Sequence, residues 1–289
     1  MDLQELMKKE LLRRNYSLKT IKTYLYCINK FLRLYKGKER KISKKDVNEY
    51  LNHLADKNKT GSTINVNLNA LKFLLEEILN KKFISKIKYS KIPKTFPVFL
   101  SKEEVLSLFS NIKNEKHKLM IKLLYGSGLR VNELVNLKVK DLNFENNYGW
   151  VRQGKGRKDR LFIIPTLLKQ DLINYIKENN LNDESWLFAS YNGHISTRTI
   201  QEIIKKTCKK TKLNKKVHPH TLRHSFATHL VEDGYDLTLV QNLLGHKSPE
   251  TTMIYIHMAS PKLLSVKSPL DNLEFDYESQ NNKDISLIN

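Results

Sequence analysis

Apolar residues recur through the first ninety positions at the three-and-four spacing of amphipathic helices. In YSLKTIKTYLYCINKFLRLY, the side chains of Ile21, Tyr24, Leu25, Ile28, Phe31 and Leu32 fall along one helical stripe, and Ser17 stands where an N-cap belongs. SKKDVNEYLNHLADK opens with Ser43 and Asp46, the spacing of a capping box. TGSTINVNLNALKFLLEEILN carries a third stripe through Ile64, Leu68, Leu71, Leu74, Leu75 and Ile78. MDLQELMKKELLRR reads as a further amphipathic helix, and the acids within it argue against a signal peptide. Lysines and arginines occupy the polar faces, where they ordinarily mark nothing more than contact with solvent.

The pattern breaks at FISKIKYSKIPKTFPVFL, residues 83–100. Pro93 and Pro97 oppose helix, and Lys86, Lys88, Lys91 and Lys94 crowd the stretch, which predicts a linker. Ser101 with Glu104 then marks the cap of the first helix beyond it. Helical patterns resume in TLLKQDLINYIKENN, STRTIQEIIKKTCKK, PHTLRHSFATHLVEDG and the segment ending at Gly245. Between them, NNYGWVRQGKGRKDRLFIIP has strand-like flanks, Trp150 with Val151 and Leu161 to Ile164, around a glycine-containing GKGRKD that permits a turn; a β-hairpin is expected. The predicted fold is mainly α with a small β-sheet or hairpin in the C-terminal domain. The expected boundaries are a helical domain over 1–85, a linker over 86–98, a second domain over 99–270 and an acidic tail over 271–289.

Charge adds a partner to this picture. The 289-residue chain carries a net charge of +21. Residues 1–92 hold +13 and residues 93–270 hold +12, while 271–289 hold −4. Both large segments suit a polyanion, nucleic acid first, and the tail suits a basic protein surface better than DNA. Cys27 and Cys208 make neither a disulfide framework nor a zinc-ligand set. No apolar run is long enough to span a bilayer, and a soluble, cytoplasmic protein is expected.

Three stretches carry candidate chemistry. LLYGSGLRVNELVNL places Arg130 after a Gly-Ser-Gly break at the start of a helix. HPHTLRHSFATHL places His220 and Arg223 three residues apart on one helical face. LLGHKSPETTMIYIHM holds His246 and, nine residues on, Tyr255. Each has an ordinary explanation. Arg130 would serve as a surface or salt-bridging residue, His246 as a helix-end residue and Tyr255 as packing. His220 and His224 have the i, i+4 spacing of metal ligands, but no Glu stands between them and no third ligand of known spacing follows. Taken together, the stretches spell phosphoryl transfer. Two guanidiniums can clamp the non-bridging oxygens of a phosphodiester with forked donors. A histidine adds a donor, and a tyrosine hydroxyl supplies a nucleophile once a base or a cationic pocket assists it. A hairpin lysine can protonate the leaving oxygen, and fixed cations then do work often given to a metal.

The boxes GLRVNEL, GKGRKDR, HTLRHSFATHL and LLGHKSPETTMIYIH, in that order, resemble those of the tyrosine recombinases, the phage-integrase family, and among them most the Xer recombinases. The resemblance extends over essentially the whole chain. It implies a C-shaped two-domain clamp on double-stranded DNA, in which a helical core-binding domain precedes the catalytic domain. It implies that Arg130 and Arg223 clamp the scissile phosphate and that Lys155, preferred over Lys158, acts as general acid on the 5′ oxygen. His220 would exchange a proton with the nucleophile, His246 would add a phosphate donor, and Tyr255 would attack. Glu133 matches a supporting acidic position, although a helix-surface carboxylate explains it nearly as well. No cofactor or metal is implied. The reaction would pass through a 3′-phosphotyrosine and a Holliday junction in a homotetramer on paired sites, with a second recombinase or a regulatory protein as further partners. The acidic tail and the segment before it would dock on a neighbouring subunit or fold back on their own domain. Chromosome or plasmid dimer resolution is the expected role. The alternative is the integrase of a mobile element or an integron-like enzyme, but the extra segment that integron enzymes carry before HTLRHSF has no counterpart here. A type IB topoisomerase, a non-catalytic DNA-binding relative and a zinc hydrolase stand further off.

Overall fold

The computed structural model describes residues 3–35, 41–93, 96–152, 159–191, 193–211 and 213–245. The chain divides into two compact units, Met1–Thr95 and Phe96–Asn289.

The first unit is helical throughout. Helices α1 (Leu3–Arg13), α2 (Leu18–Leu32), α3 (Lys44–Asp56) and α4 (Gly61–Lys72) follow one another along the chain. Their starts are fixed by side chains that satisfy the unpaired amides of a first turn. The Ser17 hydroxyl accepts from the Thr20 amide, and Ser43 and Asp46 form the expected capping box. Thr60 does the same for α4. Met7, Leu11, Ile28, Phe31, Leu54, Leu68, Leu71 and Leu74 meet in a closed core. Among the described residues of this unit Asn67 is the buried polar side chain, and it is satisfied: it accepts from the Tyr50 hydroxyl at 3.0 Å and donates to the Thr63 carbonyl at 2.9 Å.

Two departures from the sequence pattern have physical causes. The expected single helix through Ile78 widens to π-helix over Phe73–Ile78. Phe73, Leu74 and Leu75 are consecutive and all buried. An α-helix would spread three successive residues over too broad an arc, whereas the wider π turn rotates each by less and keeps them toward the core. The proline-rich stretch is not wholly slack. After a short 3₁₀ turn (Lys82–Lys86), Asn65 on α4 pairs with both backbone groups of Ser90, at 2.9 and 2.8 Å. The Tyr89 hydroxyl donates to Asn69 at 2.8 Å, and Lys72 lies 4.4 Å from the Tyr89 ring centre.

The second unit opens with α5 (Lys102–Ser110), whose Ser101–Glu104 capping box forms as expected, and continues through α6 (Glu115–Gly126) and the short α7 (Val131–Val135). A three-stranded antiparallel sheet follows in the order β1 (Leu142–Asn143), β2 (Tyr148–Val151), β3 (Arg160–Ile163). Strands β2 and β3 pair from Tyr148–Ile163 to Val151–Arg160, so the expected hairpin exists, with its QGKGRK tip at 153–158 outside the described residues. Helix α8 (Thr166–Glu178), the two-residue strands β4 (Ala189–Ser190) and β5 (Gly193–His194), α9 (Thr197–Cys208), α10 (Pro219–Glu232) and α11 (Leu237–Leu244) complete the described part. Strands β1, β4 and β5 are too short to leave an alternation in the sequence.

Helix α10 is the centre of this unit. Leu222, Arg223, Ser225, Phe226, Ala227, Thr228 and His229 are all buried. A helix enclosed on so many sides needs its polar groups satisfied internally. The Ser225 hydroxyl accepts from the Leu100 amide at 2.8 Å and donates to the Thr221 carbonyl at 2.9 Å. The Tyr125 hydroxyl and His229 Nδ1 share a hydrogen bond of 2.8 Å. Among the described residues no helix is long and apolar enough to cross a membrane.

Candidate active site

Arg130 occupies the N-cap position of α7, in extended backbone. Glu133, one turn on, reaches back to it. The carboxylate accepts from the Arg130 amide at 2.8 Å and from its guanidinium at 2.6 Å. That local geometry is the acidic half of a capping box, so the first turn of the helix itself sets the pair. The Glu133 side chain is 5% exposed, which removes the surface-carboxylate alternative for this residue.

Arg223 comes to the same place from α10 and is 4% exposed at its side chain. It donates to the carbonyls of Gly128 and Leu244. Its guanidinium lies 4.0 Å from Glu133. Gly128 makes the approach possible. It sits at φ +57°, and a Cβ there would fall 2.4 Å from the Phe226 ring. The Gly-Ser-Gly break is therefore the point where the α6–α7 turn passes against α10.

A third guanidinium belongs to the cluster and was not singled out from the sequence. Arg160, the first residue of β3, donates to Glu133 Oε2 at 2.6 Å and to the Leu243 carbonyl at 2.5 Å, with its side chain 9% exposed. Its position after GKGRKD was readable, but nothing in a strand pattern says that a basic residue there turns inward. The three arginines divide the end of α11 among them. Arg160 takes the Leu243 carbonyl, Arg223 takes Leu244 and Arg130 takes Gly245 at 3.4 Å. These are the carbonyls that a helix end leaves unpaired and negatively polarised, and cations are favoured there. Gly245, at φ +60°, closes the helix in the left-handed conformation.

The electrostatics follow from one carboxylate among three guanidiniums. Burial alone would push the Glu133 carboxyl up. That is the largest single effect, but the Arg160 charge, then the amide, the charge and the side-chain bond of Arg130 together outweigh it and hold Glu133 below the ordinary carboxylate range. Burial weakens the hold of Arg160 on its proton, against the pull of Glu133, but a guanidinium remains ionised in a protein. The cluster so carries two positive charges in excess, on forked donors, beside a helix terminus. An oxyanion with several acceptor atoms fits that surplus.

His220 stands on the first turns of α10, exposed, with its ring centre 6.2 Å from that of His218. His224, one turn on, has its pKa lowered to about 4 by burial, then by His220, Arg223 and His218, so it is neutral at pH 7. Among the described residues no group of three or more His, Cys, Asp or Glu side chains could hold a metal ion. The structure brings together Arg130, Glu133 and Arg223, with His220 on the Arg223 helix. Lys155, Lys158, His246 and Tyr255 lie outside the described residues, as do the segment after Tyr255 and the acidic tail.

Comparison with known proteins supplies the context of this cluster. Residues 98–261 match the phage integrase family, and residues 3–85 match the phage integrase N-terminal SAM-like domain. The chain is 39% identical to tyrosine recombinase XerA of Pyrococcus furiosus over 84% of its own length and 85% of that protein. It resembles the crystal structure of a XerA recombinase at 30% identity and a TM-score of 0.54, over 91% of this chain and 96% of that one. It also resembles the XerH site-specific recombinase bound to difH substrate in a pre-cleavage complex, at 25% identity and a TM-score of 0.69, over 92% of this chain and 84% of that one.

Proposed function

The chain belongs to the phage integrase family, and from that premise we propose that the arginine cluster is the phosphate clamp of its DNA-cleavage site. The protein is a tyrosine recombinase, an enzyme of site-specific DNA recombination. DNA is its partner, and the Xer type is favoured over a mobile-element or integron-like integrase. The observation that carries the site assignment is the meeting of Arg130 and Arg223 around the buried Glu133, with charge to spare.

In this reading Arg130 and Arg223 hold the non-bridging oxygens of the scissile phosphate. Glu133 fixes Arg130 and supports the site. The Tyr255 hydroxyl attacks phosphorus as the bond to the 5′ oxygen breaks. Its proton passes to His220, and the departing 5′ oxygen takes a proton from Lys155. His246 adds a donor to the phosphate. The product is a 3′-phosphotyrosine and a free 5′ hydroxyl. The phosphate ester is exchanged without net hydrolysis, so a 5′ hydroxyl from a second duplex can reverse the step, and no energy cofactor is needed. The helical unit over residues 1–85 is proposed to be the core DNA-binding domain, followed by a linker over 86–98 and the catalytic domain over 99–270. Strand exchange between paired sites would resolve chromosome or plasmid dimers in the cytoplasm.

A duplex nicked near the cleavage point tests the nucleophile, because the short 5′-hydroxyl fragment diffuses away and traps the adduct. Wild-type protein is expected to form a complex that survives denaturing electrophoresis. Tyr255→Phe should bind the same duplex and form none. An adduct with the Phe variant would remove Tyr255 from the role.

A homotetramer on paired sites is proposed with it, and residues 259–289 are its proposed coupling element. The sequence there holds Leu263, Leu264 and Val266, too few apolar residues for a core of their own, and is acidic beyond them. Docking on a neighbouring subunit satisfies both features. Truncation after Met258 should leave single-site binding in place and weaken cooperative binding to a two-arm site. Full cooperativity and wild-type recombination by the truncated protein would deny the segment that role.

A further inference from the structure

Besides a 3.2 Å bond to the Leu161 carbonyl of its own strand, Arg160 is bound to two other elements at once. One N–H bonds Glu133 on α7 and another bonds the Leu243 carbonyl on α11. The turn that ends α11 is moulded to it as well. A Cβ at Gly245 would lie 2.6 Å from Arg160 Cδ. The residue also closes the described ladder of the hairpin opposite Val151. Three stretches with candidate chemistry therefore converge on one side chain: the strand leaving GKGRKD, the helix begun by Arg130, and the turn that runs into His246.

We infer that Arg160 is a positioning residue for DNA cleavage, holding Glu133 and the end of α11 in one register so that Arg130 and Arg223 stand fixed on the scissile phosphate. The inference rests on the function proposed above. Its physical basis is the division of the Glu133 carboxylate. Oε1 serves the Arg130 guanidinium, and Oε2 serves Arg160 together with the Arg130 amide. Take Arg160 away and Oε2 loses its hydrogen-bonded guanidinium, with Arg223 left at 4.0 Å. The Arg130 guanidinium is then drawn into a two-bond fork with Glu133, and the donors it would offer to phosphate are spent on the carboxylate. The surplus positive charge of the cluster falls by one at the same time. Lysine cannot replace it fully, because a single ammonium on a flexible stem does not span two acceptors on different elements as a planar fork does.

The test uses the full chain and a nicked duplex, with three readouts: thermal melting, DNA affinity and single-turnover adduct formation. Arg160→Met is expected to bind DNA within about twofold of wild type and to cleave about 100-fold more slowly, the scale of a misplaced but intact catalytic group. Arg160→Lys should fold and lose about tenfold, keeping the charge and one bond. The decisive comparison is with Arg130→Lys. If Arg160 acts through Arg130, the loss in the double variant is far smaller than the product of the single losses. Losses that multiply, cleavage within about twofold of wild type, or a fall in cleavage matched by a fall in affinity would each overturn the inference. Should Arg160→Met fail to melt cooperatively, the cycle of Arg160→Lys with Arg130→Lys decides the question in its place. Tyr255→Phe in the same assay separates the two levels. An adduct with the Phe variant refutes the assigned nucleophile while the Arg160 cycle is still read on that adduct, whereas no adduct with wild type refutes both.

Discussion

The two units bury different things. In Met1–Thr95 the described core is aliphatic and aromatic, and Asn67 is its one buried polar side chain. In the second unit Glu133, Asp141, Arg223 and His229 are buried with six serines and threonines, several of them on α10. A buried polar group costs stability unless it is paired, and a buried charge costs more. The first unit avoids that cost and keeps its charge outside, which suits a body that grips a polyanion by its surface. The second accepts it, and fixed, desolvated cations are what the proposed phosphate clamp requires.

This contrast can be broken experimentally from either side. Phe31 is fully buried in the first core and packs edge-on against Tyr50 at 5.0 Å between ring centres. Phe31→Ala should destabilise the first unit by about 3–5 kcal/mol, read by urea unfolding. Cleavage at saturating DNA should be unchanged under conditions where the variant is folded. A cleavage defect surviving those conditions would tie the two interiors together. Arg130→Lys and Arg223→Lys should do the reverse. Each keeps its charge and loses its fork, and adduct formation should slow by about 10²–10³-fold, or ~2.7–4 kcal/mol, the loss seen for one transition-state donor. Binding should change little, and near-normal cleavage by both would take them out of the site. The smallest effect sharpens the comparison. Ser43→Ala removes the hydroxyl that caps α3, while the Ser43 amide keeps its bond to the Asp46 carboxylate, donating to it at 2.7 Å. It should cost about 1 kcal/mol in unfolding and leave the cleavage rate of bound DNA unaltered. A rate change from so remote a cap would mean that the first unit does more than bind.

The first unit was the more legible of the two. Its caps at Ser17 and Ser43 and its stripes through Ile21–Phe31 and Ile64–Leu71 lie in the sequence as local periodicities, and each is satisfied within a few residues. The widening at Phe73 was not, because a run of three buried residues looks the same in either winding. In the second unit the helices, the hairpin strands and the helix start at Arg130 were legible, again for local reasons. Strands of two residues were not, since alternation needs more length than that. Glu133 was ambiguous. Its spacing from Arg130 allowed a surface ion pair as readily as a buried one, and only the packing of β3 and α10 over it settles the matter.

What the sequence determined by itself was the order of the boxes, the type of each long element and the surplus of positive charge, all of which depend on residues near one another or on simple counting. Tertiary structure decided which arginines share a carboxylate. Arg130, Arg160 and Arg223 come from a helix start, a strand and a central helix, and they meet at three successive carbonyls of a fourth element. Nothing local distinguishes Arg160 from the basic residues before it. Its inward turn is set by Glu133 and by the end of α11, partners 27 and 83 residues away, and a charge becomes part of a site only when the fold has stripped its water and supplied its counter-charge.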